Sequence, residues 1–238
     1  MNVRERTIIA MDFATADSAL ECARKLKGSA SYLKVGMQLY YAAGPQIVAK
    51  LKDQGFKVFV DLKVHDIPNT AKGAIESLAA LGADMVNVHA AGGKEMMMAA
   101  KEGLQKGTMA SGQEPLLIAV TQLTSTTLDV MNREIGIHGS IEDCVRNYAL
   151  LAREAGLDGV VASPLEVKLI KEAAGSEFLT VTPGIRPAGS AVGDQKRVTT
   201  PKMAFDLGTD YIVVGRPITG AVDPAAAFEE LIGSVENG

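Results

Sequence analysis

Short apolar runs rich in Val, Ile and Leu recur along the chain, each followed by a longer stretch. The runs over 7–13, 32–37, 57–63, 85–90, 116–123, 159–163, 178–182 and 211–216 predict eight strands. Leu116-Leu117-Ile118-Ala119-Val120 and Ile212-Val213-Val214 are apolar on successive residues. That is the pattern of parallel strands covered on both faces, not of half-exposed ones. Between the runs, helical spacing predicts helices over 17–26, 69–81, 94–104, 141–155 and 165–174. Pro68 and Pro164 stand where two of them begin, a place that tolerates Pro because the missing N–H has no helical partner there. Gly28, Gly55, Gly82 and Gly156 follow helical stretches, as helix ends prefer. Eight strands, mostly with helices between them, predict a (β/α)₈ barrel. A doubly wound open sheet is the alternative, weakened because no strand is followed by a Gly-x-Gly-x-x-Gly fingerprint. No linker, charge block or low-complexity tract divides the chain, so one domain over 1–238 is expected.

Composition narrows the partners. Lys plus Arg number 24 against 28 Asp plus Glu, a net charge of −4, which excludes a bulk electrostatic grip on nucleic acid. Any anionic ligand must be held by a few placed cations. Cys22 and Cys144, both in helical stretches, are too few for a metal cluster and are expected to be buried thiols. The start of the chain has charges but no sustained apolar run before Asp12, so no secretory signal is expected. No apolar stretch reaches the 18 or so residues of a membrane span, and a cytoplasmic location is expected.

In a barrel of this kind the chemistry sits at the C-terminal ends of the strands. Read in order, those ends carry Asp12, then Lys34, then Asp61 and Lys63, with Asp66 just beyond. Asp61 and Lys63 are two residues apart and so share one side of a regular strand, separated by about 6.6 Å. If that side is the interior, Asp12, Lys34, Asp61 and Lys63 form a row of alternating sign, the arrangement that makes burying charges tolerable. The bland alternative is an ion-pair plug at one end of the barrel. Under the functional reading, a Lys held between carboxylates stays protonated and serves as a general acid, since a Schiff-base nucleophile needs a lowered pKa. A carboxylate beside the reacting centre also suits a reaction that expels negative charge, such as decarboxylation.

The loops after strands seven and eight often form a phosphate site in (β/α)₈ enzymes. Here they read Thr182-Pro183-Gly184-Ile185-Arg186 and Val214-Gly215-Arg216-Pro217-Ile218, each with an Arg near a Gly. A lone Arg after a strand is usually a solvated surface residue. Two of them in these loops point to a phosphate monoester. Other candidates carry less. His65, His89 and His138 lack metal-binding spacing; His89 either lines the site or is a satisfied structural histidine. Met96, Met97 and Met98 are expected to pack on the barrel wall. Thr121, Gln122, Thr124 and Ser125 end strand five and could read a polar ring.

The string Asp61-Leu62-Lys63-Val64-His65-Asp66-Ile67-Pro68-Asn69-Thr70 resembles the orotidine 5′-phosphate decarboxylase family, whose Asp-x-Lys-x-x-Asp core it contains. Asp12 in Ala-Met-Asp-Phe, Lys34 in Leu-Lys-Val-Gly, Pro183-Gly-Ile-Arg186 and Val213-Val-Gly-Arg-Pro-Ile218 extend the resemblance along the chain. It implies decarboxylation of orotidine 5′-monophosphate to uridine 5′-monophosphate and carbon dioxide, the last step of de novo pyrimidine synthesis. It implies no metal and no organic cofactor. Lys63 would protonate carbon 6 of the pyrimidine, with Lys34, Asp61 and Asp66 completing the charge row. Asp12 and Lys34 would hold the ribose hydroxyls, Thr124 the pyrimidine, and Arg186, Gln195, Gly215 and Arg216 the phosphate. The implied assembly is a homodimer in which Asp66 and Thr70 cross into the partner's site.

Two other readings stay open. A magnesium-dependent decarboxylase of a keto-sugar phosphate shares the Asp-x-Lys-x-x-Asp core, but resembles a Glu at the position that Lys34 holds here. A non-catalytic barrel that binds a phosphate ligand is the second.

Overall fold

The structure, a computed structural model, describes residues 2–187 and 199–237. The parallel strands β1 (Thr7–Ala10), β2 (Tyr32–Gly36), β3 (Lys57–Val64), β4 (Met85–His89), β5 (Leu116–Val120), β6 (Gly159–Val161), β7 (Leu179–Thr182) and β8 (Tyr211–Val214) pair in chain order, and β8 closes on β1. Around them run α1 (Ala16–Leu26), α2 (Met37–Ala43), α3 (Gln46–Lys52), α4 (Pro68–Ala80), α5 (Gly93–Ser111), α6 (Ile141–Glu154), α7 (Val167–Ala174), α8 (Pro201–Asp206), α9 (Arg216–Thr219) and α10 (Pro224–Glu236). This is the predicted (β/α)₈ barrel.

The unbroken apolar runs have a direct cause. Ile8, Tyr32, Phe59, Met85, Ile118, Val181 and Val213 fill the barrel interior. Their neighbours Ile9, Leu33, Val60, Val86, Leu117, Ile212 and Val214 point outward and are sealed by the helices. Both faces of each strand are therefore dry. The same alternation sets the site, because the next inward position after Tyr32 is Lys34, after Phe59 is Asp61 and after Met85 is Asn87.

Six of the eight strands end sooner than the apolar pattern predicts, while β3 runs one residue longer, to Val64, and β7 ends at Thr182 as expected. Strand β1 stops at Ala10 rather than residue 13, β5 at Val120 rather than 123 and β8 at Val214 rather than 216. The chain turns there: Phe13 N–H donates to Met11 O at 3.0 Å and Ile218 N–H to Gly215 O at 2.9 Å. Helix α5 outruns its prediction to Ser111, where Gly112 ends it in the left-handed conformation at φ 74°. The helix expected over 165–174 starts as a tight turn, Pro164–Glu166, closed by a capping box between Ser163 and Glu166, before α7 begins. Met96 and Met97 pack inside as expected, whereas Met98 is half exposed because it lies on the solvent side of α5.

Helix α5 approaches α4 closely because Gly103 and Gly107 face it without side chains. A Cβ at either position would collide with the carbonyl oxygen of Lys72 or Glu76. This contact braces α4, which begins directly after Asp66 and Ile67.

The N-terminal face of the barrel repeats one device three times. Asp84, Asp158 and Asp210 stand just before β4, β6 and β8, and each accepts a backbone N–H from the preceding strand at 2.7 Å: Val58, Leu117 and Thr180. Each also meets a lysine from a neighbouring helix, Lys52 at 2.8 Å, Lys101 at 3.8 Å and Lys171 at 2.7 Å. Strand starts that would leave donors unpaired are thus satisfied with charge-assisted bonds. This is the face where barrels build stability, opposite the face where they build chemistry.

Candidate active site

At the C-terminal end of the barrel the charge row forms. Lys34 Nζ lies 3.1 Å from Asp61 Oδ2 and 3.4 Å from Asp12 Oδ1, and Lys63 Nζ lies 2.6 Å from Asp61 Oδ1. The Lys34 and Asp61 side chains are only 10% and 11% exposed, against 61% for Asp12. Asp12 is therefore not an interior strand residue as expected; it sits two residues beyond β1, on the turn that Phe13 closes. Gly36 leaves room for the Asp12–Lys34 pair, since a Cβ there would lie 3.2 Å from both Asp12 Oδ1 and Lys34 Nζ.

Burial works against both inner charges. It pushes Lys34 down, but Asp61 and Asp12 push harder the other way, so the ammonium is held above its ordinary value. Burial pushes Asp61 up, and Lys34 and Lys63 outweigh it, so the carboxyl is held below its ordinary value. Both stay ionised across neutral pH.

Lys63 departs from the regular strand that its spacing from Asp61 predicts. The β3–β4 pairing shifts between Val60 and Val64, and Lys63 adopts the left-handed region at φ 51°, alone in this among the described non-glycine residues. Such a backbone costs on the order of 1–3 kcal/mol and persists only where its surroundings hold it. The result is an ammonium folded back on Asp61 at 2.6 Å rather than one lying a strand repeat away.

The row forms one wall of a cavity of about 530 Å³. Pro183, Gly184 and Arg186 after β7 and Gly215 and Arg216 after β8 line another side. Arg186 is buried and donates to Ile185 O at 2.9 Å, while Arg216 is exposed at the start of α9. Gln122, Leu123, Thr124 and Ser125 form the rim after β5, and Phe59, Val120, Val161, Val181 and Val213 give the cavity an apolar floor. Anion-binding, cationic and apolar surfaces thus converge on one volume large enough for a nucleotide-sized ligand.

Some expected residues lie elsewhere. Asp66 and Thr70 are exposed and do not line this cavity, and Asp66 Oδ1 accepts from the Ile67 N–H at 2.7 Å. Beside them Ile67 is 68% exposed. Gln195 lies outside the described residues. Thr121 turns away to donate to Val161 O at 2.9 Å. His89 accepts from the Ala91 N–H at 3.2 Å and stacks on His65 at 5.6 Å between ring centroids, outside the cavity lining. Burial, His65 and Lys63 hold it below its ordinary pKa. Both cysteines are buried free thiols, as expected. Among the described residues no group of three or more His, Cys, Asp or Glu is placed to hold a metal ion, and no helix is long and apolar enough to cross a membrane.

One residue of the row escapes the sequence pattern. Asn87, fully buried on β4, accepts the Lys63 N–H at 2.8 Å and donates to Asp61 Oδ1 at 2.7 Å. Its only signal in the sequence is a lone amide two residues after Met85, inside a strand that is otherwise apolar up to His89.

A family model described as orotidine 5′-phosphate decarboxylase / HUMPS matches residues 5–231. The chain belongs to that family. The orotidine 5′-phosphate decarboxylases of Bacillus cereus (strain AH820) and Bacillus anthracis are 54% and 53% identical to it over 222 residues, 93% of either chain. Among solved structures, the orotidine 5′-phosphate decarboxylase of Lactobacillus acidophilus matches with a TM-score of 0.86 and 44% identity, covering 97% of this chain and 98% of that one. An uncharacterized conserved protein of Geobacillus kaustophilus also matches with a TM-score of 0.86, at 46% identity over 97% of this chain and 100% of that one. The resemblance read from the Asp61–Thr70 string is thus that of a true member of the orotidine 5′-phosphate decarboxylase / HUMPS family, and the match spans the whole barrel.

Proposed function

We propose that this chain, acting as one catalytic domain over 1–238, decarboxylates orotidine 5′-monophosphate to uridine 5′-monophosphate, the last step of de novo pyrimidine synthesis. The observation that carries the reading is the row Asp12–Lys34–Asp61–Lys63 on one wall of a cavity whose other side holds Arg186 and Arg216. The bond from carbon 6 to the carboxylate breaks, carbon dioxide leaves, and the electron pair stays on carbon 6. Lys63 passes a proton from Nζ to that carbon and recovers it from solvent. Asp61, held ionised by its two lysines, repels a substrate carboxylate placed against it and is relieved as the charge departs. The ammonium of Lys63 is fixed beforehand where carbanion charge develops, the arrangement that most lowers a barrier of this kind.

Asp12 and Lys34 hold the ribose hydroxyls and Thr124 the pyrimidine, while Arg186, Gln195, Gly215 and Arg216 take the phosphate. Binding energy from that non-reacting phosphate is then available for desolvating the reacting end. Asp66 and Thr70 act in the site of a partner in a homodimer. Their exposure, with Ile67 between them, suits a segment that a second subunit covers. No metal or organic cofactor enters this scheme, and a cytoplasmic location belongs to it.

Decarboxylation of orotidine 5′-monophosphate in excess chelator is the test. Full carbon dioxide release supports the reading. Activity lost on chelation and restored by magnesium supports a keto-sugar phosphate decarboxylase instead, and no release supports a binding barrel. Lys34 disfavours the magnesium alternative, because its ammonium stands between Asp12 and Asp61, where a cation would have to sit.

A further inference from the structure

We infer that Asn87 is a positioning residue for the proton transfer, resting on the reading of Lys63 as proton donor. Three hydrogen bonds close a ring through Lys63, Asn87 and Asp61. Lys63 N–H donates to Asn87 Oδ1 at 2.8 Å, Asn87 Nδ2 donates to Asp61 Oδ1 at 2.7 Å, and Lys63 Nζ donates to that same oxygen at 2.6 Å. Lys63 is gripped at both ends, by its backbone and by its ammonium, through one amide side chain. The orientation of that amide is determined by its partners, since an N–H needs the oxygen and a carboxylate needs the nitrogen.

Two features give the ring a function beyond satisfying a buried amide. Lys63 lies in the left-handed backbone region at a register shift, where the ladder to β4 is interrupted and Asn87 replaces the missing acceptor. The side-chain bond therefore maintains the turn that aims the ammonium. Asp61 also has to face two lysines at once, Oδ2 toward Lys34 and Oδ1 toward Lys63. A third donor to the carboxylate, Asn87 Nδ2 on Oδ1, stops it from rotating. Lysine has a long flexible stem with many rotamers, and a proton donor is effective only where that freedom is already removed. Asn87 never touches the cavity, so it acts entirely through these two residues.

The test compares the full chain with its Asn87→Ala and Asn87→Asp variants by turnover, affinity for uridine 5′-monophosphate and amide hydrogen exchange at Lys63. For Asn87→Ala, kcat falls about 100-fold, the penalty of a small misplacement, while nucleotide affinity changes less than about threefold. Exchange of the Lys63 amide accelerates at least tenfold. Asn87→Asp keeps the acceptor for that amide but sets a second carboxylate against Asp61. Exchange then stays slow, kcat falls, and the acidic limb of the kcat/KM profile moves to higher pH. A purely structural asparagine would lower the unfolding temperature without moving that limb.

The inference is overturned if either folded variant keeps kcat within about threefold of wild type. It is equally overturned if nucleotide affinity collapses in step with kcat, or if both variants fail to fold, since either outcome assigns Asn87 to scaffolding. If the wild type itself does not decarboxylate orotidine 5′-monophosphate, the proposed function fails. The exchange contrast at Lys63 would still report whether the ring holds.

Discussion

Lys63 places its ammonium 2.6 Å from Asp61 Oδ1 although the two residues are only two apart on β3. A regular strand would keep their backbones about 6.6 Å apart with side chains standing parallel. The left-handed backbone at Lys63 turns the later side chain back over the earlier one, while Lys34 takes the other oxygen of Asp61 at 3.1 Å. One buried carboxylate thereby fixes two ammonium groups.

That carboxylate makes a prediction about pH. Asp61 is depressed in the fold, so its contribution to stability is fully present above the unfolded value of about 3.9 and disappears as pH falls through the lower folded value. Lys34 is raised, so its contribution holds below about 10.4 and is lost as pH climbs through the higher folded value. Urea unfolding of wild type and Asp61→Asn is expected to differ by a constant amount between these limits, with the gap closing in acid. A gap independent of pH down to full acid unfolding would show that Asp61 is not held ionised by its lysines.

The two arginines predict a dependence on the phosphate. Arg216→Ala is expected to reduce kcat/KM for orotidine 5′-monophosphate by 100-fold or more, about 3 kcal/mol. For a truncated substrate lacking the phosphate the loss shrinks to within about threefold. Steady-state kinetics with both substrates measure it, and equal fractional losses would show that Arg216 does not act through the phosphate.

The opposite face of the barrel predicts stability without catalysis. Asp210 accepts from Thr180 N–H at 2.7 Å, Thr180 Oγ1 at 3.0 Å and Lys171 Nζ at 2.7 Å. Asp210→Ala removes the acceptor these donors share, although Lys171 keeps the carbonyls of Ser176 and Phe178, and is expected to cost about 1–3 kcal/mol in urea unfolding. Turnover of the folded variant stays at wild-type level. A kcat reduced in proportion to stability would mean that the two faces are coupled.

A shared site predicts complementation. In the proposed homodimer, where each site takes Lys63 from one chain and Asp66 from the other, Lys63→Ala and Asp66→Ala are each expected to inactivate both sites of their own dimer. A mixed dimer concentrates both lesions in one site and leaves the other intact. After mixing equal amounts and allowing exchange, activity returns to about one quarter of wild type, because half the dimers are mixed and each has one good site. Activity that stays at the level of the separate variants would place Asp66 in the site of its own chain.

Much of this was legible from the chain because the barrel leaves a strong pattern. Strands dry on both faces read as unbroken apolar runs, so Lys34 and Asp61 stood out as charges where charge is costly. Arg186 and Arg216, each near a glycine, were legible from their place after β7 and β8. Three features were not. Asp12 fell beyond its strand because hydrophobicity continues through Met11 to Phe13 after the pairing has stopped. The reversal at Lys63 depends on a register shift against β4, a relation between two strands that neither shows alone. Asn87 carries no periodicity, and only its partners reveal what the amide does.

In the proposed reaction Lys63 delivers the proton that replaces the departing carboxylate. Turnover of orotidine 5′-monophosphate by Lys63→Ala, measured beside its affinity for uridine 5′-monophosphate, tests this most directly. Near-complete loss of carbon dioxide release with nucleotide binding retained is expected. A variant that binds the nucleotide and still keeps more than a few per cent of wild-type turnover would contradict it.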